Sequence, residues 1–327
     1  MAGSSRVFHS DSAMPPWSWG VGFNDQFVRH TKGSVSVCPM VASGSHKKNA
    51  RWAHARVLPL GDIAPSMLTR NEILYIRSLR DRNTRISERK FVVEGHKCVD
   101  EALRSGWEVH GLFATEAAMG SVTGDAAPVS SKEMDRMSAF KSPPGVLAVV
   151  EMPDDTNMSA HDWVGESDAA FGLALDGLSD PGNLGTLLRT ADWLGIQGVW
   201  ASPRVVDAFN PKVVQASMGA VFRVQVWRCE LATHLTALRE AGALVYGMDM
   251  AGQDAWAMPG TPGSPSPWVA VLGSESHGLS PEVMSTCTEQ IHIPGRGGSE
   301  SLNATMAAGM VLGEWGARLH RQSSASR

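Results

Sequence analysis

The chain has 327 residues, 43% hydrophobic and 19% charged, which is enough for two compact globular domains and a further segment. No run of about 18 apolar residues occurs, so the composition excludes a membrane-spanning helix. Four scattered cysteines, Cys38, Cys98, Cys229 and Cys287, form no CxxC pair. We therefore expect no disulfide framework, no zinc and no other metal site.

The net charge of −4 is unevenly distributed along the chain. Residues 1–150 contain 19 Lys and Arg against 14 Asp and Glu, whereas the remainder contains 10 against 19. The first part is thus positive by 5 and the second negative by 9. This asymmetry indicates that the basic part contacts a polyanion, although a randomly uneven surface gives the same count.

Residues 1–70 show no sustained helical or strand period and are rich in Ser, Gly and Pro. We predict a mostly disordered extension here. Its eight basic residues and three Asp are typical of an organellar transit peptide or of an RNA-binding tail. A cytoplasmic location is our prediction, and a mitochondrial or plastid location stays open as the alternative.

Residues 71–152 predict a small layered α/β domain. Helices are expected at Asn71–Arg82, Gly95–Ser105 and Ser131–Met137, and strands at Phe91–Gly95, Trp107–Thr115 and Val146–Met152. Basic residues cluster at its entrance, among them Arg77, Arg80, Arg82 and Arg85. Contact with RNA phosphates is one interpretation of this cluster, and a solvated helix face is the other.

Residues 165–322 predict a larger domain in which strands and helices alternate. Continuous apolar runs are typical of buried parallel strands, so this region predicts a parallel sheet covered on both faces. The expected strands are Phe171–Leu178, Gly198–Ala201, Phe222–Trp227, Ala243–Met248, Trp268–Gly273 and Gln290–Pro294. A helix is expected at Leu184–Gly195 and a surface loop at Pro259–Pro267.

Three transitions from a strand to a loop are candidates for chemistry, because open α/β sheets bind ligands beyond the carboxyl ends of their strands. They are Leu175–Gly195, Val271–Val283 and Ile293–Trp315. The third predicts a helix capped by Ser299 or Ser301, with Leu302, Met306, Met310 and Val311 on its packing face. The first lacks the leading glycine of a GxGxxG fingerprint, which argues against dinucleotide binding.

Taken together, these segments resemble the three motifs of the SpoU/TrmH family of RNA ribose methyltransferases, within the SPOUT superfamily. The first motif is matched by Asp180, Pro181, Asn183, Gly185 and Arg189. The second is matched by Leu272, Gly273, Glu275 and Gly278, and the third by Ile293, Pro294, Ser301, Leu302 and Asn303. A further similar patch is Ala216–Val224; before it, Gln215 replaces a residue that is often basic in relatives, which puts one RNA contact in doubt.

The resemblance implies the fold and the ligand. A knotted parallel-sheet methyltransferase domain would follow a small RNA-binding domain of ribosomal-protein-like type, which Phe91–Leu103 resembles. It also implies a homodimer that completes the site across its interface. S-adenosylmethionine would be held by Leu272, Gly273, Glu275, Ile293, Pro294 and Leu302.

The resemblance also implies the catalytic residues, which are Arg189, Asn183, Glu275, Ser301 and Asn303. An arginine stays protonated, so we expect Arg189 to bind phosphate and orient the ribose. Asn183 and Asn303 would orient Arg189 or the ribose. The proton acceptor stays open between Glu275, water and a substrate phosphate.

The predicted function is methyl transfer to a ribose 2'-hydroxyl of structured RNA, ribosomal RNA ahead of transfer RNA. A second hypothesis is a catalytically silent RNA-binding or ribosome-assembly protein on the same scaffold. The polar set at Asn183, Arg189, Glu275 and Asn303 argues against it, since a purely binding role needs no such groups.

Overall fold

The computed structural model describes residues 68–154, 158–165, 171–196, 198–258, 266–298 and 301–325. The predictions for the extension before residue 68 and for the loop at 259–265 lie outside the described residues. Within the described part, no helix is long and apolar enough to cross a bilayer.

The first α/β unit contains a four-stranded sheet in the order β1-β4-β2-β3. β2 pairs antiparallel with β4 and parallel with β3, and β1 pairs antiparallel with β4. Its elements are α1 (Arg70–Ser78), α2 (Arg82–Glu88), β1 (Lys90–Glu94), α3 (His96–Arg104), β2 (Val109–Thr115), α4 (Glu116–Met119), β3 (Ala127–Val129), α5 (Ser131–Met137) and β4 (Val146–Glu151).

Apolar side chains cover both faces of this sheet. Ile76 of α1 and Met134 of α5 pack on one face, in a cluster with Phe113 and Leu147. α3 packs on the other face, where the cluster also contains Phe222 from the second part of the chain. This α/β unit therefore buries part of its core against the second one.

The helix predicted at Asn71–Arg82 is wrong in its extent, because two helices occupy this region. α1 ends at Ser78, and the Oδ1 of Asp81 then accepts the backbone N–H groups of Asn83 and Thr84. An N-cap of this kind begins a new helix rather than continuing the old one. The basic residues of this region are consequently divided between two helices and the turn that joins them.

The second α/β unit contains a six-stranded sheet in the order β10-β8-β9-β5-β6-β7, and every pairing is parallel. Its elements are α6 (Ala160–Gly165), β5 (Phe171–Leu175), α7 (Pro181–Leu194), β6 (Gly198–Ala201), α8 (Pro211–Ser217), a 3-10 turn (Ala220–Phe222), β7 (Gln225–Arg228), α9 (Leu231–Glu240), β8 (Leu244–Asp254), β9 (Trp268–Leu272), α10 (Pro281–Met284), β10 (Glu289–His292) and α11 (Ala304–Ala325).

Helices cover both faces of the parallel sheet, which confirms the predicted architecture. α7 and α11 contribute Leu187 and Val311 to a cluster with Leu173 and Ala270. The opposite face carries a second cluster, to which α9 contributes Leu235. Two packed layers of helices are what a parallel sheet requires to bury both faces.

Several predicted boundaries are wrong. α7 begins at Pro181 rather than Leu184, because Asp180 caps it, and it ends at Gly195 as expected. The strand predicted at Phe222–Trp227 begins only at Gln225, since Phe222 closes a 3-10 turn and packs into the first unit. The strand from Phe171 ends at Leu175, and β8 extends beyond Met248 to Asp254.

The packing face predicted for the last helix is also wrong in part. Met306 and Met310 are exposed, and Leu302 precedes the helix. The buried side of α11 is formed by Ala308, Val311, Leu312 and Trp315. Trp315 packs edge-on against Trp268 with ring centroids 5.1 Å apart, which holds α11 on the sheet.

Candidate active site

Three loops lie at the carboxyl edge of the six-stranded sheet. They follow β5, β9 and β10, and β5 pairs with β9 through Leu175 and Leu272. β8 lies between β9 and β10, with parallel pairing throughout. Because parallel strands end at the same edge, the three motif segments are brought to one side of the sheet.

The first loop enters α7 through a capped turn. The Oδ1 of Asp180 accepts the backbone N–H of Asn183 at 2.8 Å, and Pro181 occupies the first turn of the helix, where its missing N–H costs nothing. One turn later, a Cβ on Gly185 would lie 2.5 Å from the Ala216 Cβ. Asp180, Pro181 and Gly185 therefore build the helix start and its close packing on α8.

The side chain of Asn183 joins the first loop to the second. Its Nδ2 donates to the Oε1 of Glu275 at 2.6 Å, across 92 positions of sequence. Glu275 is exposed, and Asn183 is half-buried. The structure thus places an amide and a carboxylate from two different motifs together on an accessible surface.

The loop after β9 closes tightly between two glycines. Ser274 and Gly278 exchange backbone hydrogen bonds of 3.0 and 2.9 Å, and Gly278 has a φ of +65°. A Cβ on Gly273 would lie 2.2 Å from the carbonyl carbon of Gly278. Only glycine fits at Gly273, which explains this residue of the second motif.

Asp176 binds the same loop by hydrogen bonds to Ser280. This residue was not selected from the sequence. Its Oδ2 accepts the backbone N–H and the hydroxyl of Ser280 at 2.8 and 2.6 Å, while Oδ1 accepts from Arg204 at 2.8 Å. Burial by itself would raise the pKa of Asp176, but the hydrogen bonds and the guanidinium outweigh it and lower that pKa. The available signal was an Asp directly after a buried strand.

The third loop starts at Ile293, which is half-buried, and Pro294 is exposed. Ser299 lies outside the described residues, and Ser301 is exposed. The cap predicted at Ser301 is wrong, because the Oδ1 of Asn303 accepts the backbone N–H groups of Thr305 and Met306 at 3.0 and 3.2 Å. Asn303 therefore caps α11 and is oriented by it.

Arg189 lies on the exposed side of α7, and its side chain makes no hydrogen bond or ion pair with any residue that the structure describes. Leu184, Leu187, Leu188 and Ala191 form the buried side of the helix. Trp193, one turn after Arg189, is 88% exposed. The structure brings Asn183 and Glu275 into contact, but it joins Arg189 to neither of them.

The predicted RNA-binding arginines have different environments. Arg77 and Arg82 are exposed, whereas Arg80 is half-buried with an Nε that has no partner among the described residues. Burial lowers the pKa of Arg80, and the neighbouring Arg77 lowers it further. The prediction for Arg85 is wrong, because its side chain is 2% exposed and its guanidinium binds Asp207 and the carbonyl oxygens of Leu79 and Arg80.

A group of possible metal ligands, which the sequence did not suggest, lies on the first sheet. Glu108, His110 and Glu151 have ligand atoms within 4.8 Å of one another. The Nε2 of His110 is 2.6 Å from the Oε2 of Glu151. His110 and Glu151 therefore form a hydrogen-bonded pair between β2 and β4.

Comparisons with known proteins agree with this geometry. Residues 170–313 match the SpoU rRNA Methylase family, and residues 70–148 match the MRM3-like substrate binding domain. The chain belongs to the SpoU/TrmH family of RNA 2'-O-methyltransferases.

Among its relatives is RlmP of Bacillus subtilis, a 23S rRNA (guanosine(2553)-2'-O)-methyltransferase, which is 28% identical over 72% of this chain and 92% of the relative. A structure of a TrmH-family RNA methyltransferase from Porphyromonas gingivalis is 39% identical, covers 76% of this chain and 98% of its own, and has a TM-score of 0.67. The SpoU methyltransferase AviRb of Streptomyces viridochromogenes, solved in complex with AdoMet, is 26% identical with a TM-score of 0.66, over 77% of this chain and 98% of its own.

Proposed function

We propose that the chain transfers the methyl group of S-adenosylmethionine to a ribose 2'-hydroxyl of structured RNA, and that this RNA is ribosomal. The observation that carries the proposal is the Asn183–Glu275 hydrogen bond, which joins two motif loops where α/β sheets bind ligands. The preference for ribosomal RNA rests on the matched family and on RlmP, which modifies 23S rRNA.

The loops after β9 and β10 fit S-adenosylmethionine. The closure of Gly273 onto Gly278 leaves a turn whose backbone carries no side chain at these two positions. Leu302, 48% exposed, and Pro294 offer apolar surface to a purine. We assign the methyl donor to Leu272, Gly273, Glu275, Ile293, Pro294 and Leu302; when bound, its sulfonium supplies an activated methyl group.

The protein's own residues align the ribose and provide for its proton. A guanidinium offers only hydrogen-bond donors, so Arg189 binds an RNA phosphate instead of accepting a proton. Asn183 holds the carboxylate of Glu275, which is one candidate acceptor beside water and a substrate phosphate. The Oδ1 of Asn303 is occupied by the helix cap, so its amide N–H groups, with the hydroxyl of Ser301, are the donors left for the ribose.

We further propose a homodimer that covers the exposed side of α7 and α11. Trp193 is 88% exposed, and Leu302, Met306 and Met310 are exposed too. An apolar surface of this kind is typical of a protein interface. Because Arg189 lies one turn from Trp193, a partner on this side would complete the site around Arg189.

The remaining features of the family are proposals as well. They are a knot at the carboxyl edge, a ribosomal-protein-like fold for the first α/β unit, and domain limits at 71–152 and 165–322. Arg77, Arg80 and Arg82 are proposed RNA contacts. A cytoplasmic location follows from a ribosomal substrate, and an organellar one is the alternative.

The function is tested by incubating the protein with radiolabelled S-adenosylmethionine and total RNA. We expect label on riboses of ribosomal RNA. Label in transfer RNA alone would contradict the substrate, and label on a base would contradict the reaction. A protein that transfers no label and shows no binding heat with S-adenosylmethionine in calorimetry would be the silent RNA-binding protein.

A further inference from the structure

A cavity of about 400 Å³ lies between the two α/β units, away from the three motif loops. α2 and the residues after β4 form one wall, and the loop after β6 together with β7 forms the other. Pockets of this size hold small molecules or single nucleotides. The cavity thus has room for one flat ring system and its charged substituent.

The charge of the lining favours an anion. Four arginines line the cavity, namely Arg82, Arg89, Arg223 and Arg228, against one carboxylate, that of Asp207. Asp207 is already bound by Arg85. The lining therefore holds more positive charge than its own carboxylate can balance.

Among the residues that the structure describes, Arg82 and Arg228 have no carboxylate partner, whereas the other two arginines do. Arg223 is bound by Asp192 and Glu101, and Arg89 by Asp154. Arg228 donates to the backbone carbonyls of Pro203, Val205 and Val206.

Arg82 is exposed, and its side chain has no hydrogen-bond or ion-pair partner among the residues described. Arg82 and Arg228 both line the cavity. Burial lowers the pKa of Arg228; Asp207 opposes this shift, and the charge of Arg82 adds to it. A phosphate between Arg82 and Arg228 would relieve their repulsion.

Aromatic side chains provide the second half of a nucleotide site. Trp107 and Phe209 line the cavity, both half-buried, with ring centroids 6.1 Å apart. Phe222, which also lines the cavity, packs edge-on against Trp107 with ring centroids 5.2 Å apart. Proteins recognise unpaired RNA bases by stacking them on such rings beside arginine.

The lining of the cavity follows β7 and reaches the carboxyl edge of the parallel sheet at Arg228. Arg228 ends β7 and pairs with Ala201, the last residue of β6. β7 is two strands from β5, a distance of about 10 Å at the usual spacing between strands. One RNA strand can therefore contact both places.

We propose that this cavity binds one unpaired nucleotide of the RNA substrate, with its phosphate at Arg82 and Arg228 and its base against Trp107 and Phe209. The proposal rests on the proposed function, whose RNA substrate it places on the protein. Charge argues against the chain's own extension as the occupant, because residues 1–70 hold eight basic residues and three acidic ones.

The test measures binding of a fluorescein-labelled, short single-stranded RNA of mixed sequence to the full chain by anisotropy at several salt concentrations. Ile86 lines the cavity and is 52% exposed, so Ile86→Glu adds a negative charge without disturbing the core. We expect Ile86→Glu to weaken RNA binding at least about tenfold. Arg82→Ala should reduce the slope of log affinity against log salt by about 0.7, the loss of one phosphate contact.

Two control variants make the matching changes in charge outside the cavity: one adds a glutamate and the other removes an arginine. Ala117→Glu on α4 and Arg104→Ala on α3 replace exposed residues of the same unit and should leave affinity within about twofold. If Ile86→Glu and Arg82→Ala match these controls, the cavity does not bind RNA and the proposal is overturned.

The result is separable from the proposed function. Wild-type protein that methylates RNA while both cavity variants behave like the controls would refute the cavity alone. Wild-type protein that transfers no methyl group, together with weakened RNA binding in the two variants, would refute the function and support the cavity.

Discussion

Arg85 and Asp207 form an ion pair between the two α/β units, across 122 positions of sequence. The Nε and Nη2 of Arg85 both donate to the Oδ2 of Asp207, and the Nη1 donates to the carbonyl oxygens of Leu79 and Arg80. The two side chains are 2% and 11% exposed. Arg85, which the sequence predicts as an RNA contact, is instead part of the contact between the two α/β units.

Removing one partner of this pair should destabilise the protein strongly. Asp207→Ala leaves the buried guanidinium without its counter-charge, so we expect a loss of about 3–5 kcal/mol in the free energy of unfolding, measured by urea titration. Asp154→Ala is the matched control, because it removes the 93% exposed partner of Arg89 and should cost about 1 kcal/mol or less. Equal losses in both variants would show that burial of the Arg85 pair is unimportant.

Arg189→Ala should reduce turnover at least about 100-fold, or 2.7 kcal/mol of transition-state stabilisation, and leave methyl-donor binding nearly unchanged. Arg189→Lys should not restore it, because an ammonium lacks the planar fork that binds phosphate. Single-turnover kinetics and calorimetry measure the two effects. Arg136→Ala, at another exposed helical arginine, is the control, and a lysine variant with near-normal turnover would contradict the assigned role.

The contribution of the Asp176 carboxylate to the free energy of unfolding should depend on pH. Its pKa in the folded protein is below the unfolded value of about 3.9, so its contribution is complete at neutral pH and lost as the pH falls through the folded pKa. The stability difference between wild type and Asp176→Asn should therefore be constant above about pH 5 and shrink below about pH 4. Urea midpoints across this range measure it; a difference that grows on acidification would contradict the sign.

Trp193→Glu should convert the proposed dimer to a monomer. A charge at this 88% exposed position opposes burial of the apolar surface around it but leaves the monomer's core intact. Light scattering after gel filtration gives the mass, and turnover should fall with the loss of the dimer. Leu74→Glu, on the first unit, should remain dimeric; a wild-type monomer would refute the interface.

Gly185→Ala should destabilise the protein although alanine favours helices. The new Cβ would lie 2.5 Å from Ala216 and 2.8 Å from the carbonyl oxygen of Val213, so α7 and α8 must separate at a cost of about 1–3 kcal/mol. Thermal unfolding measures this loss. Gly120→Ala has no atom within 4 Å of the new Cβ and should be neutral; an unchanged midpoint in both variants would contradict the close packing.

The parallel sheet could be predicted because its strands are continuous apolar runs, as at Phe171–Leu175. The prediction failed where one apolar run serves two cores. Phe222 packs into the first unit, whereas Trp227 packs beneath the parallel sheet, so their shared run is divided between a turn and a strand. Sequence periodicity does not distinguish these environments.

The loops that form the site could be predicted from the sequence, but the hydrogen bonds between their side chains could not. The motifs selected Asn183 and Glu275, and the structure shows that they are hydrogen-bonded partners. The role of Arg85 was predicted wrongly because its partner is remote in sequence. Asp176 was missed because the residues that hydrogen-bond to it, Arg204 and Ser280, come from two other loops. Which polar side chains meet depends on the order of the strands, and local sequence does not encode that order.

Arg223 has a consequence for how the enzyme selects its nucleotide. Its guanidinium binds Glu101 of α3 and also Asp192 of α7, three residues after Arg189. The proposed RNA-binding unit is thereby fixed to the helix that carries Arg189. If the first unit binds RNA as proposed, this fixed distance would select the modified ribose by its separation from the bound part of the folded RNA, without recognition of its own base.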